Sequence, residues 1–336
     1  MAPPNRPGRV PLGTWPTPVE PAPRLAERIG MSPDRLWIKR DDLTGLGAGG
    51  NKVRKLEYLC ALALEHGATT LVTSGRAQSN HACLTASAAR RLGLGCQLVL
   101  AGDAPDVSTG NLALEILLGA PVRWVGEVDD DGLDRAAADV VAELTERGER
   151  VELVPLGGSN SIGARGYVDC GSELEAQVPG FRHAVVAVGT GGTMAGLVAA
   201  LGPERVLGVA VGATADVPKR IDKMVGQLKD EGVDGRGFSG GPLRIRDDQV
   251  GPGYGQLTEG ARRALVNAAQ CEGIILDPVY TAKALSGLEA EVRDGGIRYD
   301  ESVVFVHTGG LPGLFGHEFI RDPMGPLGRG ESPAAQ

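Results

Sequence analysis

Four segments of this chain carry side chains whose types and spacing could do chemistry, and each is rich in glycine or hydroxyl residues. The first is "GLGAGGNKVRKLEYL" (45–59), where Lys52, Arg54 and Lys55 stand together at the expected start of a helix. It differs from the phosphate loop G-x-x-x-x-G-K-[ST]: Asn51 displaces the lysine by one position, and Val53 stands where a magnesium-binding hydroxyl is needed. A nucleoside-triphosphatase reading fails on those two residues. The alternative is a flexible backbone that admits a planar ligand, with Lys52 as an amine nucleophile toward an aldehyde. Such an amine reacts only when a useful fraction is neutral, which burial and the nearby cations Arg54 and Lys55 favour. A solvated helix N-terminus with no chemistry is the other reading.

The second segment, "TSGRAQSNHACLTASAARRLG" (73–93), runs strand, loop, helix. Ser79, Asn80 and His81 fall at the loop-to-helix transition, where a hydroxyl and free backbone N–H groups can hold a carboxylate, or where they simply cap the helix. His81 is a candidate base, although a histidine at a helix start more often caps or faces solvent. In the third, "AVVAVGTGGTMAGL" (184–197), a buried strand delivers Gly189, Thr190, Gly191, Gly192 and Thr193 straight into a helix. Successive N–H groups, two hydroxyls and the helix dipole converge there on one anion. A dinucleotide fingerprint needs glycine at position 194, which is Met194, so a phosphate monoester fits better than a pyrophosphate. The fourth places Tyr254 among glycines in "DQVGPGYGQLTEGARRAL" (248–265) and Tyr280-Thr281 after "EGIILDPV", each just before an expected helix. These tyrosines are candidate hydrogen-bond donors or acids, with core packing as the alternative.

The elements that must position these segments are β-α units. Strands are expected at 69–75, 96–102, 122–126, 151–157, 183–189, 205–212 and 302–310, and helices at 52–66, 79–92, 108–119, 132–147, 162–178, 193–201, 257–272 and 281–294. Several strands are apolar throughout, so helices cover both sheet faces, and ligand contacts gather at the carboxyl ends of the strands. The fold class is α/β, built on parallel sheets. The acidic stretch 126–150 reads as a loop and a solvated helix, since Asp129, Asp130 and Asp131 lack the later Gly and Glu of a calcium loop. No metal site is expected.

With 336 residues, 42% hydrophobic, 23% charged and 4% aromatic, the composition is that of a globular protein with an aliphatic core. A formal charge of −8 argues against nucleic-acid binding, which needs a basic stripe. Five widely spaced cysteines without a C-x-x-C pair suit a reduced cytoplasmic protein. The proline-rich N-terminus has no apolar leader core, and no apolar run reaches the roughly 18 residues of a membrane helix, so no membrane association is expected.

Taken together and in this order, the motifs resemble fold-type-II pyridoxal-phosphate enzymes of the tryptophan synthase beta-like superfamily, and more narrowly the D-cysteine desulfhydrase and 1-aminocyclopropane-1-carboxylate deaminase family. The resemblance runs from "LGTWPTPVEPAPRL" through "WIKRDDLTG", "GGNKVRKLEYL", "QSNH", "PLGGSNSIGARGYV", "GTGGT" and "DPVYTAKAL" to "VFVHTGG", about residues 12–316. It implies two open, twisted, mostly parallel sheets flanked by helices. Residues 1–50 and 160–325 would form a large cofactor-binding domain and 51–159 a small one, with 326–336 a disordered tail. It implies pyridoxal 5'-phosphate as cofactor, a small amino acid as substrate, and a homodimer.

The same resemblance makes Lys52 the lysine that bonds to the cofactor aldehyde and then serves as base at the substrate's α-carbon. It makes Gly189 to Thr193 the phosphate cup with Lys55 as added cation, and Asn80 the partner of the cofactor's phenolic oxygen. Ser79, Asn80, His81 and Gly158 would receive the substrate; Tyr254 and Tyr280 would face it, and Thr281 would meet the pyridine nitrogen. A neutral Thr281, where the aminocyclopropane deaminases have glutamate, favours β-elimination from D-cysteine to pyruvate, ammonia and sulfide. Arg76 stands where a small or apolar residue is expected, which raises an L-cysteate sulfo-lyase as an alternative should it point into the site. A cyclopropane deaminase and a non-catalytic cofactor-binding protein are the remaining alternatives.

Overall fold

A computed structural model describes residues 8–321 except 234 and 236–239; the tail expected to be disordered lies outside the described residues. The chain folds around two sheets. The larger uses β1 (Val19–Pro21), β2 (Leu36–Lys39), β7 (His183–Val188), β8 (Val206–Ala210), β9 (Arg244–Arg246) and β10 (Val303–Val306) in the order β1-β2-β10-β7-β8-β9. Only the edge pair β1–β2 is antiparallel; Phe305 at the centre pairs with Ile38 on one side and Val185 on the other. The smaller sheet, β5-β4-β3-β6, is parallel throughout and uses β3 (Thr70–Arg76), β4 (Gly95–Ala101), β5 (Val122–Trp124) and β6 (Val151–Val154).

Alternation along β7 shows how helices cover both faces of the large sheet. Val185 and Ala187 join Phe305, Leu207 and Val209 in a core against α9 (Glu259–Glu272) and α10 (Thr281–Arg293). Ala184, Val186 and Val188 point the other way, into a second core with α6 (Ser161–Gln177), α7 (Gly192–Leu201) and α8 (Val217–Asp230). Every residue of β7 and β10 is buried, as runs apolar at every position after His183 require when a strand has no wet face. The small sheet packs α2 (Lys52–Glu65), α3 (Asn80–Leu92) and α4 (Gly110–Leu117) on one face, and α5 (Asp130–Glu146) on the other through Val72, Val99, Ala137 and Val140.

The expected strands and helices all form, with ends shifted by a few residues: α5 begins two residues before its expected start, and β8 is shorter than expected at both ends. The strand expected at 151–157 stops at Val154, and that at 302–310 stops at Val306; both remainders are loops that reach the cleft described below. Sequence reading omitted β1, β2, β9, α1 (Pro23–Arg28), α8 and α11 (Leu311–Gly316).

Arg54 anchors α2 to the large-sheet side. Its guanidinium, 2% exposed, donates to Asp41 at 2.8 and 2.9 Å and to Glu173 at 2.8 and 2.9 Å, and lies 4.1 Å from the Trp15 ring centroid. Asp41 also accepts from Thr17 at 2.7 Å and from Tyr167 at 2.5 Å. Burial alone would raise the Asp41 carboxyl, but the Arg54 charge and these donors hold it below the ordinary aspartate range. Of the three cations opening α2, this one is structural.

Candidate active site

A cleft opens where the carboxyl ends of β3, β7, β8 and β10 meet the N-termini of α2, α3, α5 and α7. Lys52 is the first residue of α2, and its Nζ donates to the Gly157 carbonyl at 3.2 Å. Lys55, one turn on and 1% exposed, donates to the same carbonyl at 3.2 Å and to Ser159 Oγ at 3.1 Å. Among the described residues neither amine has a carboxylate partner. Burial brings the Lys52 ammonium down to about 8, against the raising effect of its hydrogen bond with Lys55. Burial and the charge of Lys52 push Lys55 well below the ordinary lysine range. Two such amines can serve as one nucleophile and one anion partner.

The loop after β7 supplies the anion cradle. Gly189, Thr190, Gly191 and Thr193 line the cleft, and Gly191, at φ 89°, turns the strand into α7 so that first-turn N–H groups face inward. Gly192 lies behind them: a β-carbon there would stand 2.6 Å from Ser159 Oγ and 2.9 Å from Lys55 Nζ, so only glycine leaves room for that cation. Ser159 Oγ and Thr190 Oγ1 are 2.6 Å apart, and Asn51 Nδ2 donates to Thr193 Oγ1 at 3.0 Å.

On the opposite wall Ser79 caps α3, accepting from Ala82 N at 3.2 Å. Asn80 Oδ1 accepts from Asn111 Nδ2 at 2.8 Å, which leaves the Asn80 amide N–H₂ to face the cleft. Asn111 is itself buried and fixed by the side chain and carbonyl of Gln78. Tyr254 and Tyr280 meet hydroxyl to hydroxyl at 2.5 Å. Burial raises both phenols, Tyr280 the further, while Arg76 pulls each down. Lys283 holds the Tyr254 loop by donating to the carbonyls of Val250 at 2.7 Å and Gly253 at 3.1 Å.

Three sequence expectations require correction. His81 is neither a surface nor a capping residue: it is 3% exposed, its Nε2 lies 3.0 Å from Thr73 Oγ1, and burial with the charges of Lys52 and Lys55 keeps its imidazole neutral. Gly158 does not line the cleft; it packs on the His81 ring and Leu59, and Gly157 takes the wall position. Thr281 is 0% exposed, so no group in the cleft touches it without a shift. Its hydroxyl donates to Asp277 Oδ1 at 2.7 Å and accepts from Asp277 N at 2.7 Å. Thr308, unlike Thr281, is among the residues that line the cleft.

Sequence reading also passed over Asn51, Asn111, Ser159, Asp277 and Thr308. Asp277 had a readable signal in "DPVYT": its carboxylate accepts from the N–H groups of Val279, Tyr280 and Thr281, a cap that aims Tyr280. Asn111 had none, since its partner lies in a different β-α unit.

A lysine amine, a glycine-loop anion cradle with its own cation, and an oriented amide donor in one cleft fit an aldehyde-bearing aromatic phosphate, and comparison with known proteins agrees. Residues 10–309 match the family model described as pyridoxal-phosphate dependent enzyme. A D-cysteine desulfhydrase of Yersinia enterocolitica is 39% identical, covering 90% of this chain and 93% of that protein. A Pyrococcus abyssi protein provisionally named a 1-aminocyclopropane-1-carboxylate deaminase is 40% identical over 91% of this chain and 93% of its own. The solved structure of an ACC deaminase homologue superposes with a TM-score of 0.86 at 36% identity, covering 94% of this chain and 95% of that one. No helix among the described residues is long and apolar enough to cross a membrane. The chain belongs to the pyridoxal-phosphate-dependent enzymes of fold type II, in the family of the D-cysteine desulfhydrases and 1-aminocyclopropane-1-carboxylate deaminases.

Proposed function

We propose that the protein catalyses β-elimination from a small amino acid, D-cysteine first, to give pyruvate, ammonia and sulfide. The observation that carries this reading is the placement, in one cleft, of the Lys52 amine together with the hydrogen-bonded phenols of Tyr254 and Tyr280. Bound pyridoxal phosphate supplies an aldehyde carbon for an amine and a conjugated ring that delocalises negative charge from the substrate's α-carbon. Lys55 and the loop from Gly189 to Thr193 would hold its phosphate, and the Asn80 amide N–H₂ its phenolic oxygen.

Ser79 and the first-turn N–H groups of Asn80 and His81 receive the substrate carboxylate at the positive end of α3. Lys52, brought down to about 8, is free enough near neutral pH to take the α-proton. The paired phenols stay protonated, since burial raises them, and one of them delivers a proton to the departing sulfur. Position 281 favours elimination over cyclopropane opening: a threonine closed onto Asp277 brings no carboxyl of its own to the cofactor ring.

The exposed apolar side chains Ile116 and Leu117 on α4, with Leu311 and Phe315 on α11, which packs against it, support a homodimer through this face. Five free, buried thiols support a cytoplasmic setting, and the two sheets support a small unit at 51–159 beside a larger cofactor-binding one. The test of function is a panel: both enantiomers of cysteine, β-chloroalanine and 1-aminocyclopropane-1-carboxylate offered to the cofactor-loaded protein. Keto-acid and ammonia release is expected from D-cysteine and β-chloroalanine; release from the cyclopropane substrate alone would overturn the reading.

A further inference from the structure

Which end of the Asn80 amide faces the cleft is a choice between two nearly isosteric orientations, one presenting N–H₂ and the other Oδ1. Shape does not decide between them, so hydrogen bonds must. The deciding group is a backbone carbonyl. Asn111 Nδ2 lies 3.0 Å from the carbonyl oxygen of Gln78, which can only accept, so the end of the Asn111 side chain turned that way must be its N–H₂. The same Nδ2 lies 2.8 Å from the Asn80 side chain, whose atom there must then be Oδ1. The Asn80 N–H₂ is left for the cleft.

Asn111 is held so that it does not turn with Asn80. It is 1% exposed, its backbone N–H donates to Gln78 Oε1 at 2.9 Å, and Gln78 Nε2 donates in turn to the Thr109 carbonyl at 3.0 Å. A β-carbon at Gly110 would stand 2.6 Å from the Pro312 carbonyl oxygen, so the start of α4 is wedged against α11. Helix α11 also closes the space behind the Asn80 oxygen, since a β-carbon at Gly313 would lie 3.9 Å from it.

We propose that Asn111, which does not itself line the cleft, is a positioning residue that fixes Asn80 as a hydrogen-bond donor toward the phenolic oxygen of pyridoxal phosphate, so that cofactor affinity depends on a side chain from a different β-α unit. The inference rests on the assignment of Asn80 to that oxygen above, and not on the identity of the substrate. A phenolic oxygen that carries negative charge attracts an N–H₂ and repels a carbonyl oxygen, so a turned Asn80 exchanges attraction for repulsion. Only the fraction of protein with Asn80 already oriented is competent, and apparent affinity falls with that fraction.

The test is Asn111→Asp, close in shape but accepting where the native side chain donates. At pH 8 the introduced carboxylate draws the Asn80 N–H₂ out of the cleft through a charge-assisted hydrogen bond, which favours the turned state by about ten- to a hundredfold. Equilibrium dialysis of cofactor-free protein against pyridoxal phosphate should show affinity falling by that factor, and the absorption maximum of the bound cofactor should shift in the direction that Asn80→Ala shifts it. In the Asn80→Ala background, itself weakened by a similar factor, adding Asn111→Asp should change neither quantity. Should the carboxylate prevent folding, Asn111→Ala carries the test: without the donor the two orientations share the population and affinity falls about twofold, again only where Asn80 is present. An equal loss in both backgrounds would show Asn111 acting through the fold at large and overturn the proposal, as would unchanged affinity in a protein whose Asn80→Ala variant has lost it. If Asn80→Ala itself binds the cofactor normally, the Asn80 assignment and this proposal fall together, while the β-elimination reading stands or falls separately on its substrate panel.

Discussion

Lys52 reacts with an aldehyde only as a neutral amine, so the pH dependence of cofactor capture reports its burial. With the amine brought to about 8, about one-tenth is neutral at pH 7, half at pH 8 and nine-tenths at pH 9. Capture of pyridoxal phosphate by the cofactor-free protein should therefore accelerate about tenfold from pH 7 to 9 and then level off. A solvated lysine titrating near 10.5 would be only about 0.03% neutral at pH 7 and about 3% at pH 9, a hundredfold rise with no plateau. Stopped-flow absorbance between pH 6.5 and 10 distinguishes the two curves. The same shift couples to stability. Between about 8 and 10.5 the unfolded chain holds a proton that the folded state has lost, so stability rises with pH across that window, by at most about 3 kcal/mol. Below 8 both states are protonated and the folded protein carries the cost of a buried ammonium. Lys52→Met should reduce that slope by its own share, leaving the part that Lys55, also held below the ordinary lysine range, contributes. A hundredfold rise without a plateau, or a slope unchanged by Lys52→Met, would refute the argument.

Other substitutions probe the surroundings. Gly192→Ala should fold normally but lose about tenfold in cofactor affinity, because the new methyl crowds Lys55 Nζ and Ser159 Oγ; equilibrium dialysis checks this, and unchanged affinity would remove Lys55 from the cradle. Asp41→Ala should lower stability in urea by about 3–5 kcal/mol, since it strips Arg54 of its fully buried carboxylate and leaves only the half-buried Glu173; a loss under about 1 kcal/mol would show that Glu173 suffices. Glu115 is buried with neither carboxylate oxygen partnered among the described residues, and burial raises it to about 8. From pH 4.5 to 8 the folded state holds a proton the unfolded chain has released, so stability should fall as pH rises through that window, and Glu115→Gln should flatten the fall. Parallel pH–stability curves for the two proteins would contradict it.

Much of this was legible in the sequence because the informative residues are local. The fully apolar runs at 184–188 and 303–306 read as strands buried on both faces, and glycine followed by hydroxyl residues at 189–193 read as an anion loop from its own spacing. Helix α8 was equally legible and was passed over: Val217, Ile221, Met224 and Leu228 form its buried stripe, but charged residues fill the remainder and dilute the apolar signal. Strands β1 and β9 have three residues each, too few for periodicity to speak. Contacts made across the fold were not legible. Nothing local tells that Asn111 turns the Asn80 amide, that Gly157 rather than Gly158 faces the cleft, or that Asp277 closes over the Thr281 hydroxyl. Arg76 was visible as an oddity of type, and only the third dimension places it beside Tyr254.

The central claim is that of two lysines one turn apart, Lys52 carries the cofactor and Lys55 serves the phosphate. Borohydride reduction of the cofactor-loaded protein, followed by proteolysis and mass spectrometry, locates the bond directly. The pyridoxyl mass is expected on Lys52 alone. Finding it on Lys55, or on neither, would contradict the account.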